Sequence, residues 1–450
     1  MTEFRPMRRF LRLLPVLIAC GALTPAWAQL RCNDDDSPAL KDKGLDLSIS
    51  SDDPRGQLLA LVDTAMRRSE QIGAATLLAQ AAREDWVSAD EARQPTVTAS
   101  LTGAEAGQRA TGLRQKQFQT QLTLGASASL WDGGRIAYNS AWRAQLAEAS
   151  RQGLFNAEQQ LAVQVVNYAL DRGRLLLQAQ IYRQYMKRMA CLVDALESVV
   201  KVDKGRASEL IQAQKSQMTA ELSMDQTLSS LRSTEFKLKR LVGDQLPPSA
   251  SYANVLTQLP DLDSLKQMAA QAADVQSLQA NSRAQRSYAD GVSAQGKPQV
   301  SLAVSGTATT TTAGSKVGEW SAGVSVSVPI LQPGQKSAER AAVQRAEAAE
   351  MQVRDALTTK TYQMSDLYTS AQAALDRSRR IVDILRNSER LRAATLVQWQ
   401  QMGRRSLFDV MGAESDYYSL RVAHLSTLFE AQQSLALLWS LGPGVMNALR

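Results

Sequence analysis

GRRSLFDVMGAESD, residues 403–416, interrupts a pattern that otherwise reads as helix from about residue 335 to 440. A lone glycine followed by basic and hydroxyl residues recurs 198 positions earlier, in GRASELIQAQKSQM at 205–218, again inside a long helical run. Glycine supplies the positive φ that a tight turn needs. Ser208 and Ser406 are placed to cap a returning helix, with Glu209 and Asp409 in or near its first turn, where negative charge is favoured. The pattern predicts one helical hairpin made twice, with tips at 203–207 and 401–406.

The likeness extends far beyond the tips. Gln94-Pro95-Thr96-Val97 aligns with Lys297-Pro298-Gln299-Val300 at an offset of 203, and Asp132-Gly133-Gly134-Arg135 with Gln332-Pro333-Gly334-Gln335 at 200. So small a drift means two copies of one plan. The first covers 57–243 and the second 262–442, joined by a Pro-rich linker at 244–261 and followed by a tail at 443–450. Each copy reads helix, two strands, very long helix, glycine turn, helix. In the first copy the opening helix is expected to run from about Arg55 to Arg93, stopping before Pro95.

The strand segments, about 94–105 and 117–130, then 298–310 and 319–330, alternate with period two. Val97, Ala99 and Leu101 point one way and Thr96, Thr98, Ser100 and Thr102 the other; Ala322, Val324, Val326 and Val328 oppose Ser321, Gly323, Ser325 and Ser327. One face of each is apolar and one polar. Trp131 and Trp320 stand where interfacial anchors of a membrane protein would, or each simply packs on a neighbour. The helix from Arg135 to Val202 would be ~100 Å long. Its residues Leu161, Val165, Tyr168, Arg172, Leu175, Ala179, Tyr182, Met186, Met189, Val193, Leu196 and Val200 step by four and three, the seam of a coiled coil. The partner expected for that seam is the helix after the turn, through Leu210, Leu231, Leu238 and Leu241.

Composition and the chain start suit an exported helical protein. Aromatic residues make up only 5% of a 450-residue chain. Residues 1–28 have the parts of a signal peptide: four arginines, an apolar stretch from Leu13 to Leu23, and Ala26-Trp27-Ala28 as a cleavage site. Leu17-Ile18-Ala19-Cys20 offers lipidation at Cys20 instead. Residues 29–56 are polar, with an acidic run at Asp34, Asp35 and Asp36. Cys32 and Cys191 are either a disulfide or two separate thiols. No run of eighteen apolar residues follows residue 28, so no transmembrane helix is expected. The net charge of +7 includes the arginines of the first segment, and no basic run is dense enough for nucleic acid.

Four strands cannot close a membrane barrel, and an open edge in lipid leaves backbone groups unpaired. Three chains would supply a 12-strand barrel, continuous with a long helical one. The repeat, the junctions SLWDGGRIAYNSAWRAQLAEA at 129–149 and VPILQPGQKSAERAAVQRAEAAE at 328–350, and the GRRSLFDV turn together resemble the TolC family of outer-membrane efflux and secretion channels. The resemblance implies a mainly α protein with β: a trimeric 12-strand outer-membrane β-barrel on a periplasmic α-helical barrel, in a Gram-negative outer membrane. It implies three partners beside lipid: a second and third copy of the chain, a periplasmic adaptor, and an inner-membrane ABC transporter or proton-driven pump. It places adaptor docking at Lys204, Gly205, Arg206, Met402, Gly403 and Arg404, and links that hold the periplasmic mouth shut at Arg405 and Asp409, with Glu209 near the first turn. Two acidic positions of the family pattern are Gly412 and Ile211 here, so the constriction would be less acidic.

No phosphate-cradling loop, zinc spacing or nucleophile elbow appears, and His424 is the only histidine. The chain is therefore expected to be no enzyme and to need neither metal nor cofactor. Its expected function is a passive, gated conduit, most simply for type I protein secretion, with small-molecule (drug or metal) efflux as the alternative. A periplasmic coiled-coil adaptor or scaffold is the rival from another class.

Overall fold

The computed structural model describes residues 50–110, 113–312, 314–402 and 405–450. Residues 1–28 with both processing readings, residues 29–49 with Cys32, and Gly403 and Arg404 lie outside them. The elements run α1 (Pro54–Arg68), α2 (Glu70–Glu91), β1 (Thr96–Ala110), β2 (Leu113–Trp131), α3 (Arg135–Val202) and α4 (Ala207–Val242). The second copy continues with α5 (Leu262–Met268), α6 (Ala273–Ala294), β3 (Gln299–Thr311), β4 (Lys316–Ser327), α7 (Gln335–Met402), α8 (Leu407–Ser440) and α9 (Val445–Leu449).

The expected single helix from Arg55 to Arg93 is two. Ser69 leaves helical geometry at ψ 112° and its side chain accepts from the Ile72 backbone N–H, so it ends α1 and caps α2. Asp53 does the same for α1 ahead of Pro54, a residue whose missing N–H costs nothing in a first turn. The strands differ from expectation at their ends: β1 and β2 run further toward their shared hairpin, and β4 lies about three residues earlier than 319–330.

All four strands form one antiparallel sheet in the order β1-β2-β3-β4. The register stacks like on like. Val97 faces Ala126, Leu101 faces Leu122, Ala126 faces Val304 and Leu302 faces Val324, so one face is apolar across every strand. On the other face hydroxyls meet across strands: Thr96 with Ser127 at 2.9 Å, Thr123 with Thr307 at 3.3 Å, Ser301 with Ser325 at 2.7 Å and Ser305 with Ser321 at 2.9 Å. The register shifts between Ser129 and Trp131, a bulge that brings Trp131 opposite Val300 and so onto the apolar side. Each sheet-to-helix junction turns on a glycine at positive φ, Gly134 at 93° and Gly334 at 91°. In the first copy Asp132 adds a cap, its carboxylate accepting from the N–H groups of Gly134 (3.0 Å) and Ile136 (2.7 Å).

The described chain divides into two compact units. One contains Gln180–Asp225 and Leu391–Tyr418; the other contains residues 50–179, Gln226–Arg390 and Ser419–Arg450 and includes the sheet. In this larger unit the core joins Leu58, Leu61 and Val62 of α1, Val165, Val166 and Leu170 of α3, Leu238 of α4 and Phe429 and Leu435 of α8. The Pro-rich linker is packed into it: Tyr252, Val255 and Leu256 are buried. Two glutamines fasten its backbone. Gln57 donates to the Pro248 carbonyl (2.8 Å) and accepts from the Ala250 N–H (2.9 Å); fully buried Gln432 accepts from Leu256 (3.1 Å) and donates to Ala253 (3.1 Å).

The coiled-coil expectation needs a correction. Leu161, Val165, Leu175, Ala179, Met189, Val193 and Leu196 are buried as the seam requires, but so are Ala162, Val166, Ala169, Leu176 and Leu192 on an adjoining stripe. α3 therefore has more than one partner, α4 and α8 among them. Arg172 pairs with Glu235 of α4 at 3.1 Å, and Gln178 donates to Ser426 of α8 at 2.9 Å. Arg172, the one charged seam residue, also donates to the Pro247 carbonyl at 2.7 Å, which explains its place there.

Gly173 lets the linker approach. A Cβ there would stand 2.8 Å from the Tyr252 ring. Gly173→Val should cost about 2 kcal/mol by overpacking and lower the melting temperature of the purified protein by several degrees; an unchanged melt would contradict this packing.

Candidate functional site

The smaller unit holds both hairpin turns. Met189, Leu192, Val193 and Leu196 of α3, Ala213 of α4, Leu396 of α7 and Leu407, Val410 and Met411 of α8 form one apolar cluster, so four helices share a core there. Each such fully buried side chain contributes about 1.5–3 kcal/mol. The turns that close the hairpins leave Lys204, Arg206 and Arg405 exposed.

At the first turn the expectation about caps is only partly met. Lys204–Arg206 forms a 3-10 turn, and its cap is Asp203, whose carboxylate accepts from the Gly205 N–H at 3.0 Å, the place expected for Ser208. Gly205 is not among the positive-φ glycines, contrary to the sequence argument. A side chain there would lie 3.1 Å from the Asp203 oxygen, so Gly205 makes room for the cap. Arg206 stands 3.7 Å from Asp203. Glu209 lies in the first turn of α4, and one of its carboxylate oxygens is buried without a hydrogen-bond partner among the described residues.

At the second turn the helix start is as expected. Ser406 accepts from the Asp409 N–H at 3.3 Å, and Asp409 accepts from the Ser406 N–H at 3.2 Å, a reciprocal capping box. Arg405 donates to Gln398 at 3.2 Å and lies 3.9 Å from Asp409, with both side chains about half exposed. An exposed pair at that distance contributes about 0.5 kcal/mol or less. Met402 is the last residue of α7. Gly412 and Ile211 are not acidic, and both are open: a side chain at Gly412 would meet nothing, and Ile211 is 66% exposed.

One feature of this unit escaped the sequence reading. Glu414 of α8 is fully buried and accepts from Arg188 of α3 at 2.9 Å and from Arg392 of α7 at 3.3 Å. One carboxylate thus links the two long helices that flank its own. Arg392 lies 4.4 Å over the Tyr417 ring, and Tyr185 stacks on Tyr418 at 4.9 Å. Burial alone would lower the Arg392 guanidinium, but Glu414 together with Tyr418 and Tyr417 outweighs it and the net direction is up. Burial also pushes the Tyr185 hydroxyl up, keeping it neutral. The available signal was a glutamate and two tyrosines set among Val410, Met411 and Ala413, on a face that must be apolar.

In the larger unit Trp131 and Trp320 both lie on the apolar face of the sheet, 50% and 83% exposed. Trp320 aligns with Gly306, six residues along β3 from the Val300 that faces Trp131, or ~20 Å. Phe118 shares that face and was not anticipated. His424 is structural: its Nδ1 lies 3.2 Å from the Ser378 carbonyl, as a donor. Cys191 is disulfide-bonded, and Cys32 lies outside the described residues. No cluster of metal-ligating side chains occurs among the described residues.

Residues 264–441 match the family model for outer membrane efflux proteins. No curated protein matches the sequence. Among solved structures, CusC, described in the course of folding and transmembrane channel formation, is 18% identical with a TM-score of 0.75, covering 88% of this chain and 96% of that one. The outer membrane protein VceC of Vibrio cholerae is 17% identical with a TM-score of 0.73, over 86% and 96%. The MtrE outer membrane channel of Neisseria gonorrhoeae, in its open state, is 17% identical with a TM-score of 0.72, over 87% and 89%. At such identities the likeness is one of fold.

Removing the carboxylate of Glu414 takes from two half-buried guanidinium groups the fully buried carboxylate that they share. Glu414→Ala should cost about 3–5 kcal/mol and open the smaller unit to protease, whereas replacing Arg188, Arg392 and Glu414 together by Met, Leu and Leu should be nearly neutral. Equal losses for the two variants, followed by thermal unfolding and limited proteolysis, would rule out this account.

Proposed function

We propose, from a chain with the TolC-like outer-membrane channel fold, that three copies assemble into an outer-membrane channel serving a tripartite export machine. The observation that carries this is the sheet. One face is apolar and exposed from Val97 to Val326, the other is lined with hydroxyls, and β1 and β4 are edges without a further strand among the described residues. In lipid such edges are untenable. A ring of three sheets, β4 of one copy pairing with β1 of the next, would leave no edge, turn the apolar face to lipid and the hydroxyls to a water-filled lumen. Trp131 and Trp320 then serve as interfacial anchors.

Transport through such a conduit is passive, and energy enters from an inner-membrane pump through an adaptor. Lys204, Gly205 and Arg206 of the first turn and Met402, Gly403 and Arg404 of the second are the candidates for adaptor docking, and Val202, which precedes the first turn, is 91% exposed. Arg405 and Asp409 are the candidates for closing the mouth. A ring of acidic side chains would favour cations; with Gly412 and Ile211 in its place, the opening suits a polypeptide of mixed charge, which favours type I secretion. The efflux description of the family model supports small molecules as a second reading.

Recovery of the mature protein from detergent-extracted outer membrane as a heat-resistant trimer is expected; a soluble periplasmic monomer would sink the channel and favour an adaptor or scaffold. The two faces make a sharper test. Val324→Arg should cost about 2–4 kcal/mol per site and reduce membrane insertion, whereas Ser325→Arg should insert normally and alter ion selectivity in planar bilayers. In the same bilayers Arg405→Ser or Asp409→Ala should raise conductance, and no change in either would remove both from closure. In a deletion strain, loss of an exported protein with unchanged drug and metal tolerance is the result expected for secretion; the reverse would assign efflux.

A further inference from the structure

In the larger unit the helices beside the sheet stand in the order of the strands they adjoin. α3 meets α2 through Ser140, whose hydroxyl donates to Asp90 at 2.9 Å, and through Arg143, 3.7 Å from Asp85. It meets α6 through Trp142 and Tyr288, whose rings lie 5.0 Å apart, through Arg283, which donates to Gln145 at 2.9 Å, and through Ser277, which donates to the Ala149 carbonyl at 2.9 Å. α6 meets α7 in turn: Gln335 donates to the Val292 carbonyl at 2.8 Å and Lys360 to Asp274 at 2.5 Å. The layer α2-α3-α6-α7 thus follows β1-β2-β3-β4, with α2 and α7 at its ends.

The duplication lets each contact inside this layer be carried to its ends. α2 and α6 both have 22 residues, and α3 and α7 both have 68, so positions correspond at offsets of 203 and 200 throughout. On the face that α6 turns to α3, Ala280 and Ala284 are fully buried and Ser277, Asn281 and Gly291 half-buried. The counterparts in α2 are Leu77, Ala81, Ala74, Leu78 and Ser88, all exposed, the two leucines at 67% and 68%. One face is covered in the second copy and bare in the first.

What would cover it is α7, the counterpart of α3. Bulk has changed sides between the two: α7 has Ala342 and Ala346 where α3 has Trp142 and Leu146, while α2 has Leu77 and Leu78 where α6 has Ala280 and Asn281. The polar pair has changed sides as well. Gln145 of α3 and Arg283 of α6 correspond to Arg345 of α7 and Gln80 of α2, both exposed. Size and hydrogen-bonding capacity therefore match α2 to α7, although within one chain they are opposite ends of a layer.

We infer that α7 of one copy packs on α2 of the next, in an image of the internal α3–α6 seam. This rests on the ring of three copies proposed above. Leu77 and Leu78 fill the space over Ala342 and Ala346, and Arg345 donates to the next copy's Gln80. Because α2 leads into β1 and β4 leads into α7, the helical layer closes at the same boundary as the sheet.

A chain carrying Gln80→Cys and Arg345→Cys together, purified as a trimer and treated with a short bis-maleimide, should run on a denaturing gel as covalent dimer and trimer, and neither single variant should do so. A trimer that gives no such ladder would overturn this seam and leave the channel standing, whereas a monomeric wild-type protein would remove the ring itself. Exchanging the pair is the second test. Arg345→Gln should lower the dissociation temperature of the trimer by several degrees, and adding Gln80→Arg, which recreates the arrangement of Gln145 and Arg283, should restore it. An Arg345→Gln trimer as heat-resistant as wild type, or one that Gln80→Arg does not rescue, would overturn the pairing.

Discussion

A β-sheet in hydrocarbon has no solvent to satisfy its edges, and on the channel function proposed above that constraint governs how this chain can work. The sheet is four strands wide, too narrow to close on itself, with an apolar face that no part of the described chain covers. In water such a surface would aggregate. Seen as one third of a closed ring, the same surface needs no cover, and its hydroxyl ladder becomes the wall of an aqueous passage. Oligomerisation in this reading is a condition of the fold.

The duplication supplies that sheet cheaply, but the two copies have diverged where local chemistry allowed. One sheet-to-helix junction is capped by Asp132, whereas its counterpart has Gln332 and relies on Gly334 to make the turn. One hairpin turn uses a 3-10 turn capped by Asp203, the other a capping box of Ser406 and Asp409. The backbone path is kept by different side chains, as expected when only the unpaired N–H groups of a helix start must be met.

Much of the plan was legible in the sequence because it is periodic. Two-residue alternation exposed the strands, and the Ser406/Asp409 spacing gave the second helix start. What was missed depends on tertiary partners. The break at Ser69 turns on one serine that reads as an ordinary helix residue until its hydroxyl is seen on Ile72. The second buried stripe of α3 was hidden because Ala162 and Ala169 are small enough to suit either face. The linker looked like a spacer, since Gln57 and Gln432, which fasten it, lie 191 and 179 residues from the groups they bind. Glu414 was passed over for a related reason: its partners Arg188 and Arg392 sit on two other helices.

That shared carboxylate also limits how the protein can change over time. Replacing Glu414 alone takes the shared carboxylate from both arginines, and replacing either arginine weakens the pairing of a fully buried carboxylate, while a joint replacement by apolar side chains does neither. The cluster is therefore hard to leave one step at a time, even if apolar packing would serve the helices as well. Lineages descending from this chain should keep all three residues or lose all three, a mark of shared history as much as of function.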